Sequence, residues 1–151
     1  MLGFLPLTAP ELAAPNPPRR DALVPKTEAK LDSRPAEPGQ REDQETLDAD
    51  TRDDAAFASL ELAREQGAFP TRLVVSFDLP ATTVQAETWD AADSIFIDDL
   101  SGRTLSADLV AAQTQDEADT LLEALYEEPL MWFDASERED LANALQGEVG
   151  L

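Results

Sequence analysis

Glu127-Glu-Pro-Leu-Met-Trp-Phe-Asp-Ala-Ser-Glu-Arg-Glu-Asp-Leu-Ala-Asn-Ala-Leu145 decides how this chain is read. Pro129 ends any preceding helix, Leu130 to Phe133 form a short apolar run, and Asp134 and Ser136 offer side-chain oxygens just before a helical pattern. The order is strand, carboxylate, helix. Ser136 with Glu139 fits a capping box, and the last helix is expected to run to Gln146 before Gly147. The first half of the pattern recurs twice: Leu73-Val-Val-Ser-Phe77 runs into Asp78, and Ile95-Phe-Ile97 runs into Asp98 and Asp99. If these strands lie side by side, the acids gather at one edge of a sheet.

Working outward, Leu2 to Leu7 is expected as a first strand with Pro6 on an edge. Asp48 to Gln66 reads as a helix, its Ala56, Phe57, Leu60 and Ala63 forming an apolar stripe and Gly67 its stop. Thr71 to Leu79 is the best strand, and its nearly continuous apolar run favours a central position covered on both faces. Thr82 to Thr88 could add a short strand, Ser94 to Asp98 is the next, and Ser101-Gly102 reads as a turn. Leu105 to Gln113 and Glu117 to Glu128 are expected as helices. Alternation of this kind predicts an α/β fold, a mixed or parallel sheet of about four strands with helices packed on it. A ferredoxin-like α+β sandwich is the alternative.

The expected division is a first strand over residues 1–9, a flexible Pro-rich insertion or linker over 10–46, a main acidic domain over 47–147 and a tail over 148–151. The linker reading rests on Pro15, Pro17, Pro18, Pro25, Pro35 and Pro38, which interrupt any helix in a stretch without aromatics.

Composition removes whole classes of chemistry. The chain of 151 residues has no cysteine and no histidine, so thiolate nucleophiles, serine-histidine pairs and zinc hydrolase sites are excluded. Its net charge is −21, and residues 41–151 hold 27 acids against six arginines. Such a surface is expected to repel nucleic acid and anionic membrane and to suit a basic protein partner. With no apolar run of membrane length and no basic segment before the first apolar residues, a cytoplasmic protein is expected.

Arg72-Leu-Val-Val-Ser-Phe-Asp-Leu-Pro80, Ser94-Ile-Phe-Ile-Asp-Asp99 and Leu130-Met-Trp-Phe-Asp-Ala-Ser-Glu137 resemble an uncharacterised actinobacterial family of small acidic proteins, classed as a domain of unknown function. Phe4-Leu-Pro-Leu-Thr8 and the alanine-rich helix around Ala55 to Leu62 share the likeness. Phe96 stands where that family usually has a histidine, and the segment from 15 to 45 has no evident counterpart. The resemblance implies a bacterial cytoplasmic protein and no particular chemistry.

Three functional readings follow from the residues. Asp78, Asp98, Asp99 and Asp134 are the metal candidates: carboxylates at one sheet edge could hold magnesium or manganese for phosphoryl transfer or hydrolysis, with Arg72 and Arg103 as nearby bases. Against this, an acid after a strand is an ordinary turn or N-cap residue, and no Gly-rich phosphate loop is present. Trp89, between acids in Glu87-Thr-Trp-Asp90, is the candidate exposed contact for a partner, whereas Trp132 and Phe133 are expected in the core. Acid rows such as Asp116-Glu-Ala-Asp119 and Glu137-Arg-Glu-Asp140 could imitate a phosphate backbone. The preferred expectation is a non-enzymatic acidic binding or accessory protein, with the specific function unknown and no catalytic residue assigned.

Overall fold

The structure is a computed structural model that describes residues 1–25 and 40–148. In chain order its elements are β1 (Leu2–Pro6), α1 (Ala9–Leu12), α2 (Gln40–Gln66), β2 (Leu73–Asp78), β3 (Ala92–Asp98), α3 (Leu100–Ala111), α4 (Gln115–Glu127), β4 (Leu130–Asp134) and α5 (Arg138–Glu148). The four strands form one sheet in the order β1-β2-β3-β4, and every neighbouring pair is antiparallel. The expected parallel or mixed pairing is therefore corrected, and the ferredoxin-like alternative falls too, because that sandwich interleaves the strands of its two strand-helix-strand halves, whereas here strands consecutive in the chain are neighbours throughout. The physical reason lies in the connections. A single helix between two strands carries the chain back to its starting edge, but α3 and α4 are two helices of similar length, 12 and 13 residues. An antiparallel helical pair ends where it began, so β4 must run against β3.

Strand β2 is central, and Leu73 to Phe77 are all buried. Its continuous apolar run reflects cover on both faces. Leu73, Val75 and Phe77, with Leu5, Ile95 and Ile97, face a core closed by α1 and α5 through Leu12, Ala142 and Leu145. On the other face Val74 and Phe4 meet Ala55 and Ala56 of α2. Ser59 fixes that helix, donating to the Leu7 carbonyl at 2.7 Å and accepting from the Leu73 N–H at 2.9 Å. Helix α2 stops at Gly67, whose φ of +65° is strain-free only without a Cβ, and the Ala68 N–H returns to the Ala63 carbonyl at 2.8 Å.

Residues 10–25, expected as part of a flexible insertion, lie against the sheet: Leu12 is fully buried, and Leu23 exchanges two 2.8 Å backbone hydrogen bonds with Phe4, covering the outer edge of β1. Residues 26–39 of that expected insertion lie outside the described residues. Helix α2 starts at Gln40, earlier than the Asp48 expected, and Thr82 to Thr88 forms turns rather than a strand. Ser101-Gly102 sits inside α3, not in a turn.

The Arg20–Glu11 pair ties this N-terminal stretch together, with hydrogen bonds at 2.9 and 2.8 Å and a third from Arg20 to the Pro6 carbonyl. Burial works to raise the Glu11 carboxyl, but hydrogen bonds from Arg20 and the Thr8 N–H, with the Arg20 charge, outweigh it and hold the group below its usual range. A depressed folded-state value means stability that is present above the free-chain glutamate value, about 4.3, and lost as pH falls through the lower folded one. Glu11→Gln is accordingly expected to cost about 1 kcal/mol at pH 7 and to flatten this part of the acid limb in pH-dependent denaturation.

Candidate functional site

The antiparallel sheet separates the acids that were expected to cluster. Asp134 stands opposite Ser94, whereas Asp98 stands opposite Leu130, at the other end of β3. Along the strand that is about 14 Å. Asp78 shares an end with Asp134 but belongs to β2, two strand spacings or about 10 Å away. Among the described residues no three acids are grouped as a metal would need. Asp99 accepts from the Gly102 N–H at 2.8 Å and is the N-cap of α3. Asp134 accepts from the Ser136 N–H at 2.9 Å, while Glu137 accepts from the Asp134 N–H at 2.9 Å. The capping box is thus Asp134 with Glu137, two residues before the Ser136–Glu139 box expected. Hydrogen bonds from the Ser136 hydroxyl and N–H hold the Asp134 carboxyl below its usual range. Local capping accounts for both acids.

Asp98 is fully buried and opposes Arg72, itself 3% exposed. Its carboxylate accepts from the Arg72 backbone N–H at 2.7 Å, from Arg72 Nε at 2.8 Å and from the Ser106 hydroxyl at 2.7 Å. The guanidinium also donates to the Leu125 and Glu128 carbonyls at 3.2 and 3.1 Å, the last turn of α4, where the helix dipole favours a cation. The expectation that Arg72 assists phosphate chemistry is replaced by a structural role. This knot joins β2, β3, α3 and the end of α4.

Trp89 is a packing residue, not an exposed contact. It is half-buried, stacks on Phe77 with centroids 6.0 Å apart, donates from Nε1 to the Ala14 carbonyl at 2.9 Å and lies 4.5 Å beneath the Arg138 guanidinium. Sequence placed the two tryptophans the wrong way round. Trp132 is 60% exposed and Tyr126 64%, so the aromatic surface lies on β4 and the end of α4.

Two features of that surface are built rather than incidental. Strand β4 is a sheet edge, and the Asp134 N–H turns to Glu137 while the Asp98 N–H turns to Arg72, so the pairs Ser94–Asp134 and Asp98–Leu130 do not exchange hydrogen bonds across β3 and β4. Pairing alternates along an antiparallel ladder, which aims the peptide groups of Leu130 and Trp132 outward. Beside this edge is a pocket of about 450 Å³ walled by Phe96, Tyr126 and Trp132 and rimmed by Asp53, Glu127 and Glu128. Arg52 also lines it, with its guanidinium 5.0 Å from the Phe96 ring centroid. Burial pushes the Asp53 carboxyl up, opposed by the Arg52 and Arg72 charges and assisted by Asp50 and Asp54.

A larger groove of about 640 Å³ separates α2 from α3 and α4, lined by Phe57, Arg64, Val110, Leu122 and Tyr126 among others. Among the described residues no helix is long and apolar enough to cross a membrane.

A small α/β fold with an open edge strand, an acid-rich surface and, among the described residues, no grouped ligands for a metal defines a protein class by architecture rather than by chemistry. Residues 1–142 match the Family of unknown function (DUF6912), and the chain belongs to that family. Its span includes the Pro-rich segment from 15 to 45, which was not expected to have a counterpart. No curated protein and no solved structure matches the chain.

Proposed function

We propose that the protein is a non-enzymatic, acidic binding or accessory protein of the bacterial cytoplasm that engages a basic protein partner. The observation that carries this reading is how the chain disposes of its few bases. Residues 41–151 hold only six arginines. Of these, Arg72 is buried on Asp98, Arg52 lies over Phe96, and Arg138 donates to the Leu12 carbonyl at 2.7 Å beneath an exposure of 16%. Arg72 is neutralised by Asp98 in the interior, and Arg52 and Arg138 are held against aromatic rings, so these three cations do little to offset the exposed acids. Acids on the helix faces, such as Asp116, Glu117 and Asp119, stay exposed. A surface of one sign attracts the opposite sign and loses that attraction as salt screens it.

The test is affinity capture on the immobilised full chain at about 50 mM salt, followed by elution at about 0.5 M and mass spectrometry of what elutes. Proteins with basic surfaces are expected to be retained and released by salt. Retention of no basic protein, or binding indifferent to salt, contradicts the reading.

A further inference from the structure

We propose that the open edge of β4 takes up an extended basic peptide as a fifth strand, one lysine or arginine of which enters the pocket between Phe96, Tyr126 and Trp132. This deepens the reading above and rests on it.

Three independent observations meet at this place. The first is the backbone. The other sheet edge, β1, is paired with Leu23, but no described residue pairs with the outward peptide groups of Leu130 and Trp132. An unpaired edge is a template for strand addition, in which main-chain hydrogen bonds supply affinity and side-chain pockets supply choice of sequence. Between Pro129 and Asp134 the strand is apolar: Leu130-Met-Trp-Phe133 carries no charge and no proline, and Met131 and Trp132 are exposed.

The second is the pocket. Aromatic faces present negative charge to a cation, and carboxylates at the rim add to it. The chain's own Arg52 already places a guanidinium 5.0 Å from the Phe96 centroid, which leaves the exposed rings of Tyr126 and Trp132 for a cation from the peptide. Because alternate side chains of an added strand point to the same face, one residue of the peptide would fall on the Trp132 side of the sheet beside this pocket.

The third is charge. Residues 127–140 carry six acids and one arginine, and that arginine, Arg138, is turned under the fold toward Leu12 and Trp89. A second copy of the chain would bring the same acids to the same edge at a net charge of −21 each, so the fitting occupant is a basic peptide rather than a dimer partner.

The probe is a fluorescent nine-residue peptide of alternating lysine and valine, titrated into the full chain by anisotropy at about 50 mM salt. Two arms isolate the site: Trp132→Ala, a change at an exposed position whose folding is checked by circular dichroism, and the same peptide N-methylated at alternate residues to remove its pairing N–H groups. Each is expected to weaken binding by about tenfold or more. Binding that survives both arms unchanged overturns the β4 site but leaves an acidic surface that binds basic chains. Absence of peptide binding also overturns it, and the capture experiment above then decides separately whether the broader reading stands. Sedimentation is expected to show a monomer. A dimer dissolved by Trp132→Ala would make a second copy the occupant and overturn the proposal.

Discussion

Asp98→Ala is expected to lower the unfolding free energy by about 3–5 kcal/mol, because it leaves the Arg72 guanidinium buried without its counter-charge. The magnitude follows from position more than from the number of bonds. An exposed ion pair contributes a few tenths of a kcal/mol, whereas removing one partner of a buried pair strands a charge that water cannot reach. Here the loss also frees the Ser106 hydroxyl and the Arg72 backbone N–H, which Asp98 accepts at 2.7 Å each. Against a total stability of about 5–15 kcal/mol for a domain of this kind, the variant approaches the limit of folding, with a melting temperature lower by about 10 °C or more. Replacing both partners, Arg72→Met with Asp98→Leu, is expected to recover only part of the loss. The Leu125 and Glu128 carbonyls would then miss the donor that now caps α4. Chemical denaturation of the single and double variants measures this directly, and a change below about 1 kcal/mol for Asp98→Ala would show that the pair is not buried as described.

Gly102→Ala carries the second large effect, and two opposing terms decide its sign. Alanine in a helix is favoured over glycine by about 1 kcal/mol, which by itself would stabilise α3. However, a Cβ at this position would press on Asp98 Oδ1 and stand 2.9 Å from its carboxyl carbon. Asp98 cannot yield, since Arg72 and Ser106 hold both of its oxygens. Overpacking of this kind costs about 1–3 kcal/mol, its coupling to the buried pair places it toward the upper end of that range, and after the helix-propensity gain the expected net loss is about 1–2 kcal/mol. Thermal unfolding of Gly102→Ala checks it. A more stable variant would mean that Asp98 has room to move, and Gly102→Ala in an Asp98→Ala background, where the obstacle is gone, is expected to cost less than in the parent.

The elements were more legible than their arrangement. The β2 stretch and the short apolar runs at Ile95 and Leu130 announce strands because β-branched and aromatic residues crowd into segments bounded by proline and acids. The direction of pairing was also written in the chain, in the two helices between β3 and β4, but a rule suited to single crossover helices obscured it. That one misreading placed Asp98 beside Asp78 and Asp134, and with it went the grouped-carboxylate site. Arg72 and Asp98 could not be matched from sequence, because a buried pair is defined by neighbours 26 positions apart and no local pattern marks it. The tryptophans were exchanged for a different reason. Trp89 stands among polar residues yet finds Phe77, Arg138 and the Ala14 carbonyl, while Trp132 lies in an apolar run that happens to be a sheet edge. Local hydrophobicity reports what a side chain prefers, and only topology determines whether a neighbour is there to cover it.

Hydrogen exchange of single amides in β4, read by NMR with and without the lysine–valine peptide, tests the central claim most directly. Met131 and Phe133, paired to β3, are expected to exchange slowly in the free protein, while Leu130 and Trp132 exchange fast and slow markedly once the peptide is bound. Fast exchange at Leu130 and Trp132 that the peptide leaves unchanged, or protection of both amides in the free protein, would contradict an open edge that binds basic chains.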